Sequence, residues 1–260
     1  MKTSLAIFAA VNSPVRGDPV SKLKLLSVVR FTHTENRSSK PDFKLTSDSG
    51  LLLQSAAAME ALRDPKRADL VALLTSSTSL MALGRVSDRL LKQSVGRQLV
   101  QERRRVTEES LEAARRCCAG TFGNAYANFM DARSFTPADR PTDSHLGHKQ
   151  VNYTKLRISE IHDFLHVIFN CPTTIEGEIL IKTIEFVNFQ LPLSGLAALY
   201  GQYQASTDAR ERLCKELLSW AVRAGLKCKP LEGIDYESHF TTPLNEFRRI
   251  HSILELQDQS

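Results

Sequence analysis

Apolar residues recur at intervals of three and four along most of the chain after residue 45, which is the pattern of amphipathic helices. The pattern is clear in "LVALLTSSTSLMALGRVSDRLLKQSVGRQLVQERRRV" and "TEESLEAARRCCAG", where Thr107 ahead of two glutamates predicts a helix N-cap. The alternation that marks strands is scarce. The sequence therefore predicts an all-α fold, with a single compact helical domain over 46–260 and an N-terminal extension over 1–45.

The stretch "HDFLHVIFNCPTTIEGE" places polar groups in an apolar run. A helix over 156–170, at about 100° per residue, sets His162 and His166 one turn apart on the flank of an apolar stripe. That stripe consists of Ile158, Ile161, Leu165 and Ile168. Because proline lacks a backbone donor, Pro172 ends this helix, and a second helix is expected to begin near Ile175.

The second helix carries a polar stripe at steps of four and three, made of Glu178, Lys182 and Glu185. The rest of this helix is apolar, so we expect it to be buried and its polar stripe to face something other than water. Antiparallel packing of the two helices would bring Glu178 to His162 and His166. Two imidazoles and a carboxylate that converge in this way suit a divalent metal.

A purely structural explanation of the same residues stays open. Histidines four residues apart occur on many helices, and Glu178 could pair with Lys182 in the favourable order along the helix. Asp163 points about 100° away from His162, so it would either bind an ion over that shoulder or orient a ligand. Cys171 lies at the turn and is expected to pack rather than to bind metal. The residues alone support a metal site and a buried polar cluster equally well.

Composition narrows the class of protein. A chain of 260 residues that is 42% hydrophobic can bury a core, and its net charge of +5 suits an anionic membrane surface. Aromatic residues, at 7%, do not interleave with basic ones, so we expect no nucleic acid as a partner. Five cysteines without a CxxC pair indicate a reducing compartment. No apolar run is long enough for a spanning helix.

The first 40 residues hold seven Lys or Arg against Asp18 and Glu35, with many Ser and Thr. This balance is typical of a mitochondrial transit peptide. A secretory signal is the competing interpretation, with Lys2 as its charged start and "LAIFAAV" as its apolar region. Its cleavage region is poor and the cysteines disagree with secretion, so we expect residues 1–45 to be a mitochondrial targeting segment or N-terminal extension.

"HDFLH", followed by eleven residues and Glu178, resembles the HDxxH-x11-E signature of the COQ-four family of ubiquinone biosynthesis proteins. The similarity continues through "CPTTIEGEILIKTIEFVNFQLPLSGLAALYG". "ALGRVSDRLLKQSVGRQLVQERRRV", "GTFGNAYANFMDARSFTPADRP" and "WAVRAGLKCKPL" also resemble family blocks in the same order. The resemblance covers roughly residues 54–250.

The resemblance implies an all-helical protein with a divalent metal, usually taken as zinc, held by His162, Asp163, His166 and Glu178. It implies a carbon–carbon lyase that removes the C1 carboxylate of 4-hydroxy-3-methoxy-5-polyprenylbenzoate, alone or coupled to oxidation at that carbon. It also implies a role in organising the multiprotein complex that makes coenzyme Q. We expect Lys182 to contribute to substrate binding. Apolar residues from Ile179 to Phe189, with "LPLSGLAALYG", are expected to line a groove for the polyprenyl tail.

The resemblance also implies a peripheral protein on the matrix side of the mitochondrial inner membrane. Its expected partners are the polyprenylated quinone precursor, other coenzyme Q biosynthesis proteins, anionic inner-membrane lipid and, as a homo-oligomer, further copies of this chain. Basic residues from Arg103 to Arg105 are the expected lipid patch. The alternative function is a non-catalytic accessory subunit of an inner-membrane assembly. A metal phosphohydrolase ranks last, since His and Asp clusters for a second metal are lacking.

Overall fold

The computed structural model describes residues 68–139 and 149–257. Within these ranges the backbone forms helices and connecting turns, with an isolated β-bridge between Thr121 and Pro243. The predicted all-α fold is confirmed. The expected N-terminal extension over 1–45 lies outside the described residues.

The helices follow one another along the chain with short connections. The α-helices are α1 Ala68–Lys92, α2 Ser94–Glu102, α3 Glu108–Arg115, α4 Phe122–Asp131, α5 Lys149–Phe169, α6 Ile175–Phe189, α7 Pro192–Gln204, α8 Thr207–Arg212, α9 Leu218–Lys227 and α10 Leu244–Ile250. A π-helical turn, Leu213–Leu217, joins α8 to α9, and 3-10 turns cover Pro137–Asp139, Leu231–Gly233 and Glu237–His239.

Hydroxyl side chains cap the starts of α3 and α6. Thr107 caps α3 as predicted: its hydroxyl accepts from the backbone N–H of Ser110, whose own side chain accepts from the N–H of Thr107. Thr174 caps α6 in the same way, accepting from the N–H of Gly177. The cap at Thr174 fixes where α6 starts after Pro172, and therefore where its first-turn glutamates point.

The core is built around α5, whose predicted apolar stripe is buried. The stripe residues are Ile158, Ile161, Leu165 and Ile168. Beside them Phe164 stacks on Tyr236 at 4.9 Å between ring centroids and meets Phe122 edge-on at 5.5 Å. Burying several aromatic rings of this size together supplies much of the hydrophobic stabilisation of a domain. The core thereby fixes the rotation of α5 about its axis, and with it the direction of the histidines on its flank.

The helix α6 packs along α7 and α9. Its expected burial is wrong at Phe186, whose exposed fraction is 46%. A Cβ on Gly195 would meet the Phe186 ring at 2.9 Å, and one on Gly201 would meet Ile179 at 2.6 Å, so α6 and α7 run antiparallel with close backbones. Along α7 the exposed Leu199 lies one turn beyond Gly195, on the side of Phe186.

No helix of the described part is long and apolar enough to cross a membrane. Two residues of the expected lipid patch, which runs from Arg103 to Arg105, form ion pairs within the protein. Arg104 donates to Asp235 at 2.7 Å, and Arg105 pairs with the buried Glu160. Two of these three guanidinium groups are thus committed to ion pairs within the protein.

Candidate metal centre

The two histidines of α5 face each other. Their Nε2 atoms are 3.3 Å apart and their ring centroids 4.9 Å apart, with the rings nearly perpendicular. The helical pitch places them one turn apart, and the packing of α5 decides that this flank faces α6. The His166 side chain is only 1% exposed, while that of His162 reaches the edge of the site.

Glu178 completes a triangle with these two nitrogens. Its Oε2 lies 3.4 Å from the Nε2 of His162, and its Oε1 lies 3.4 Å from the Nε2 of His166. The ligand atoms of His162, His166 and Glu178 lie within 4.8 Å of one another. Residues later in α6 meet earlier residues of α5, which is the antiparallel approach that the turn at Pro172 predicts.

The outer nitrogens of both rings are committed as donors. The Nδ1 of His166 donates to the backbone oxygen of Cys171 at 3.1 Å, and a carbonyl oxygen can only accept. The Nδ1 of His162 lies 2.7 Å from Oε1 of Glu185, an ionised carboxylate that also only accepts. Both neutral rings therefore direct an Nε2 lone pair at Glu178. Three electron-rich groups that face one another need a positive charge between them, either a proton or a metal ion.

Glu185 extends this arrangement into α7. Its carboxylate accepts from the Nζ of Lys182 at 2.8 Å and from the Oγ of Ser194 at 2.8 Å, as well as from His162. The Glu185 side chain is 3% exposed, so each of these partners offsets the cost of removing a charge from water. One buried carboxylate thus joins α5, α6 and α7.

The charges of the triangle follow from burial and from its hydrogen bonds. Burial acts to raise the pKa of Glu178, but the interactions of its carboxylate with the imidazoles of His162 and His166 outweigh burial and hold that pKa far below its ordinary value. Burial and Lys182 act to lower the pKa of His162, but Glu178 and Glu185 raise it overall. Burial is the main cause that lowers the pKa of His166. Glu178 is therefore the ionised member of the triangle.

Glu185 stays ionised for similar reasons. Burial acts to raise its pKa, but the Lys182 ammonium, then the hydrogen bond from His162, lower it to about 2. Cys171 differs, because burial raises the pKa of its thiol to about 12 and keeps it protonated. Its sulfur is buried and packs as the sequence indicates, while its backbone oxygen receives the proton of His166.

The structure brings together three of the four residues expected to bind metal. Asp163 is half-buried on the next position of α5, and the cluster within the described residues does not include it. The angle of about 100° between neighbouring helix positions accounts for this separation. Lys182, expected to bind substrate, lies beside the site with its Nζ 3.4 Å from the Nδ1 of His162.

Two residues of this centre, Glu185 and Ser194, were not predicted as site residues from the sequence. Glu185 belongs to the polar stripe of α6, and a carboxylate on so apolar a helix was a usable signal of a buried partner. Ser194 gave no such signal, because a serine in "LPLSGL" carries no period or motif. Only the close approach of α7 to α6 shows that its hydroxyl donates to Glu185.

Comparison with known proteins gives a consistent result over most of the chain. The family model described as "Coenzyme Q (ubiquinone) biosynthesis protein Coq4" matches residues 41–257. The mitochondrial ubiquinone biosynthesis protein COQ4 homolog of Bos taurus is 34% identical over 207 residues, which cover 79% of this chain and 78% of that protein. Mitochondrial COQ4 of Coprinopsis cinerea is 30% identical over 242 residues, covering 91% of this chain and 82% of that protein.

A solved structure has the same fold. The crystal structure of a Nostoc punctiforme protein, described as a ubiquinone biosynthesis protein, superimposes with a TM-score of 0.57 at 20% sequence identity. The match covers 80% of this chain and 98% of that one. At this identity the likeness concerns the fold alone, which agrees with the all-helical architecture described above.

Proposed function

The chain belongs to the coenzyme Q (ubiquinone) biosynthesis protein Coq4 family and functions in coenzyme Q biosynthesis, where we propose that it is a metal-dependent decarboxylase of a polyprenylated 4-hydroxybenzoate intermediate. In this reaction the bond between C1 and its carboxylate breaks, carbon dioxide leaves and a proton takes its place on C1. His162, His166 and Glu178 would hold the ion. The family resemblance adds Asp163, whose role stays a prediction.

The spacing of the triangle is the observation that carries the proposal. Tetrahedral ligands at about 2.05 Å from an ion are about 3.3–3.4 Å apart, whereas neighbouring octahedral ligands at about 2.1 Å are about 3.0 Å apart. The Nε2 atoms of His162 and His166 are 3.3 Å apart, within the tetrahedral range, and each lies 3.4 Å from a different carboxylate oxygen of Glu178. Two imidazoles and a carboxylate also suit zinc as ligand types. We therefore propose zinc as the ion that these residues would hold.

The charges around the site favour a substrate with one carboxylate. The ammonium of Lys182 and the carboxylate of Glu185 cancel each other at 2.8 Å. A divalent ion less the charge of Glu178 leaves one positive charge, which one aromatic carboxylate neutralises. When bound, the ion fixes the substrate head group and draws electron density from one of its oxygens.

An apolar surface next to Lys182 suits the polyprenyl tail. Phe186 is 46% exposed on α6, and Leu199 and Tyr203 are 49% and 48% exposed on α7. Leu199 and Tyr203 follow Gly195 at steps of four, so all three lie on the side of α7 that meets Phe186. Isoprenoid units placed here would extend from the head-group site towards the outer surface of the protein.

The relatives' names and the described helices support a mitochondrial location for the proposed reaction. The curated relatives are named as mitochondrial proteins. We propose that this chain acts as a peripheral protein on the matrix side of the inner membrane, where polyprenylated lipids reside. We further propose that other coenzyme Q biosynthesis proteins supply its substrate and accept its product, and that it assembles as a homo-oligomer.

Purified protein and its ligand variants test the proposal. Elemental analysis of protein prepared without chelators should find close to one divalent ion per chain, and His166→Ala combined with Glu178→Ala should remove it. The wild-type protein should convert a short-chain polyprenylated 4-hydroxybenzoate to its C1-decarboxylated product, and the variant should not. A product with oxygen at C1 would show that an oxidant is consumed at the same carbon. Metal-free wild-type protein that still decarboxylates would refute the metal's role.

Expression of variants in cells that lack the family member distinguishes the proposed enzyme from a non-catalytic accessory subunit. Cells that express Glu178→Ala should accumulate the C1-carboxylated precursor. His239→Gln, a histidine change outside the metal centre, should restore coenzyme Q. Protein abundance has to be measured alongside, because removing one partner from a buried cluster costs about 1–3 kcal/mol. Normal coenzyme Q with normal levels of the Glu178 variant would favour the accessory subunit instead.

A further inference from the structure

Glu185 occupies a position that the ligand triangle alone does not explain. Its Oε1 receives the Nδ1–H of His162 at 2.7 Å, and its Oε2 receives the hydroxyl of Ser194 at 2.8 Å. Lys182 donates to both oxygens, at 3.0 and 2.8 Å. Three donors from α5, α6 and α7 therefore converge on a carboxylate that solvent hardly reaches.

These contacts define which nitrogen of His162 can bind a cation. A carboxylate that only accepts keeps the proton of the neutral ring on Nδ1, and the lone pair therefore stays on Nε2, the atom that faces His166 and Glu178. A short hydrogen bond also fixes the rotation of the ring. His166 obtains the same orientation from the backbone oxygen of Cys171, so the two ligands are held by different kinds of acceptor.

The two acceptors, a backbone oxygen and a carboxylate, differ in their effect on the imidazole that each one holds. A backbone oxygen cannot be changed by substitution, whereas Glu185 is a side chain whose charge raises the basicity of the imidazole it holds. Ser194 and Lys182 in turn restrict the carboxylate itself. Changes in α7, which contributes no ligand to the triangle, should therefore reach the metal centre through Ser194.

We propose that Glu185 is a positioning residue, which holds His162 with its Nε2 towards the cation, and that Ser194 on α7 acts through Glu185. The inference rests on the proposed function only in taking the cation to be a divalent metal. A merely structural tie between helices would affect stability alone. A positioning residue affects metal affinity and the environment of the ion in protein that remains folded.

The wild-type protein and three variants test this. Glu185→Gln keeps the shape and removes the charge, Ser194→Ala removes one donor to the carboxylate, and Thr183→Ser is the matched control. Thr183 is buried on the same helix, and its hydroxyl donates to the backbone oxygen of Ile179, away from the site. Zinc affinity, measured against a chromophoric chelator, should fall 10–100-fold for Glu185→Gln. The fall should be smaller for Ser194→Ala and absent for Thr183→Ser.

Two spectroscopic readouts report the site independently of stability. The visible absorption of cobalt-loaded protein should change in Glu185→Gln. In metal-free protein with 15N-labelled histidine, the Nδ1–H signal of His162, assigned with His162→Gln, should shift or disappear in the same variant. If Glu185→Gln fails to fold, Ser194→Ala answers the question, because it leaves the carboxylate in place.

The outcomes separate the positioning role from the proposed function. Wild-type zinc affinity, an unchanged cobalt spectrum and an unchanged His162 signal in Glu185→Gln would overturn the inference. A wild-type protein that binds no metal, but whose His162 signal depends on Glu185, would support the positioning role and refute the metal-dependent function. Equal loss of affinity in Thr183→Ser would show a general effect of changing α6, and would also overturn the inference.

Discussion

The first turn of α6 leaves no room for a side chain at Gly177. A Cβ there would lie 1.9 Å from the backbone oxygen of Pro172, where contacts shorter than 3.0 Å are essentially never seen. Gly177→Ala therefore requires a shift of at least 1.1 Å (3.0 less 1.9). Either α6 moves and carries the neighbouring Glu178 with it, or the turn moves and carries the Cys171 oxygen that holds His166.

The expected cost follows from these distances. Overpacking costs about 1–3 kcal/mol, and a clash with backbone belongs at the upper end. Helix propensity returns up to about 1 kcal/mol on replacing glycine by alanine. Gly177→Ala should therefore destabilise the protein by about 2 kcal/mol, which lowers Tm by about 4–8 °C in a chain of this size. The metal should bind more weakly as well, since a site tolerates displacements of only about 0.5 Å.

Gly84→Ala provides the control within the same protein. Gly84 lies inside α1, and a Cβ there meets nothing within 4 Å, so the variant should gain about 0.5–1 kcal/mol. Urea unfolding of both variants and zinc titration of the folded proteins measure the two effects. A Gly177→Ala protein within about 0.5 kcal/mol of wild type, with wild-type zinc affinity, would refute the reasoning.

Three further predictions concern other parts of the protein. His251 lines a cavity of about 290 Å³, and both of its ring nitrogens are buried without partners. Burial, then His239 and Lys229, lower its pKa to about 4, whereas the pKa of a histidine in the unfolded protein is about 6.5. The contribution of neutral His251 to stability should be complete above pH 6.5 and should be lost as the pH falls towards 4. In His251→Leu the free energy of unfolding should therefore fall less steeply over this pH range, with the slope reduced by at most about 1.4 kcal/mol per pH unit. Arg157→Met should cost about 3–5 kcal/mol in urea unfolding, because it leaves Glu237 without the guanidinium that binds it at 2.7 Å, and adding Glu237→Gln should recover part of that loss. Sedimentation with cardiolipin-containing vesicles should show binding that weakens as salt rises, whereas salt-independent binding would indicate apolar insertion instead.

Much of the local structure could be predicted because it depends on residues near one another in the chain. The cap at Thr107, the end of α5 before Pro172 and the start of α6 at Ile175 follow from short motifs. The spacing of His162 and His166 follows from the helical pitch, and so does the separation of Asp163 from them. These features need no knowledge of the rest of the protein.

Other features depended on contacts between distant residues. The sequence indicated a basic run at Arg103 to Arg105, but it did not indicate that Glu160 and Asp235, far along the chain, pair with two of these side chains. It also suggested that α6 would be buried on all its apolar sides, but Phe186 emerges beside Gly195. Charge and hydropathy indicate whether a residue tends to be buried, exposed or paired. Which neighbours it contacts depends on packing.

The helices, the pair of histidines one turn apart and the order of the carboxylates along α6 all follow from local sequence, because the pitch of a helix is the same in any protein. Which carboxylate faces which nitrogen depends on the packing of helices that are distant in the chain. Glu178 meets the two Nε2 atoms and Glu185 meets the Nδ1 of His162, with Ser194 behind it, because the core rotates α5 and the glycines of α7 let that helix approach α6 closely. Those rotations and distances come from the sum of many non-local apolar contacts, which no local pattern in the sequence contains.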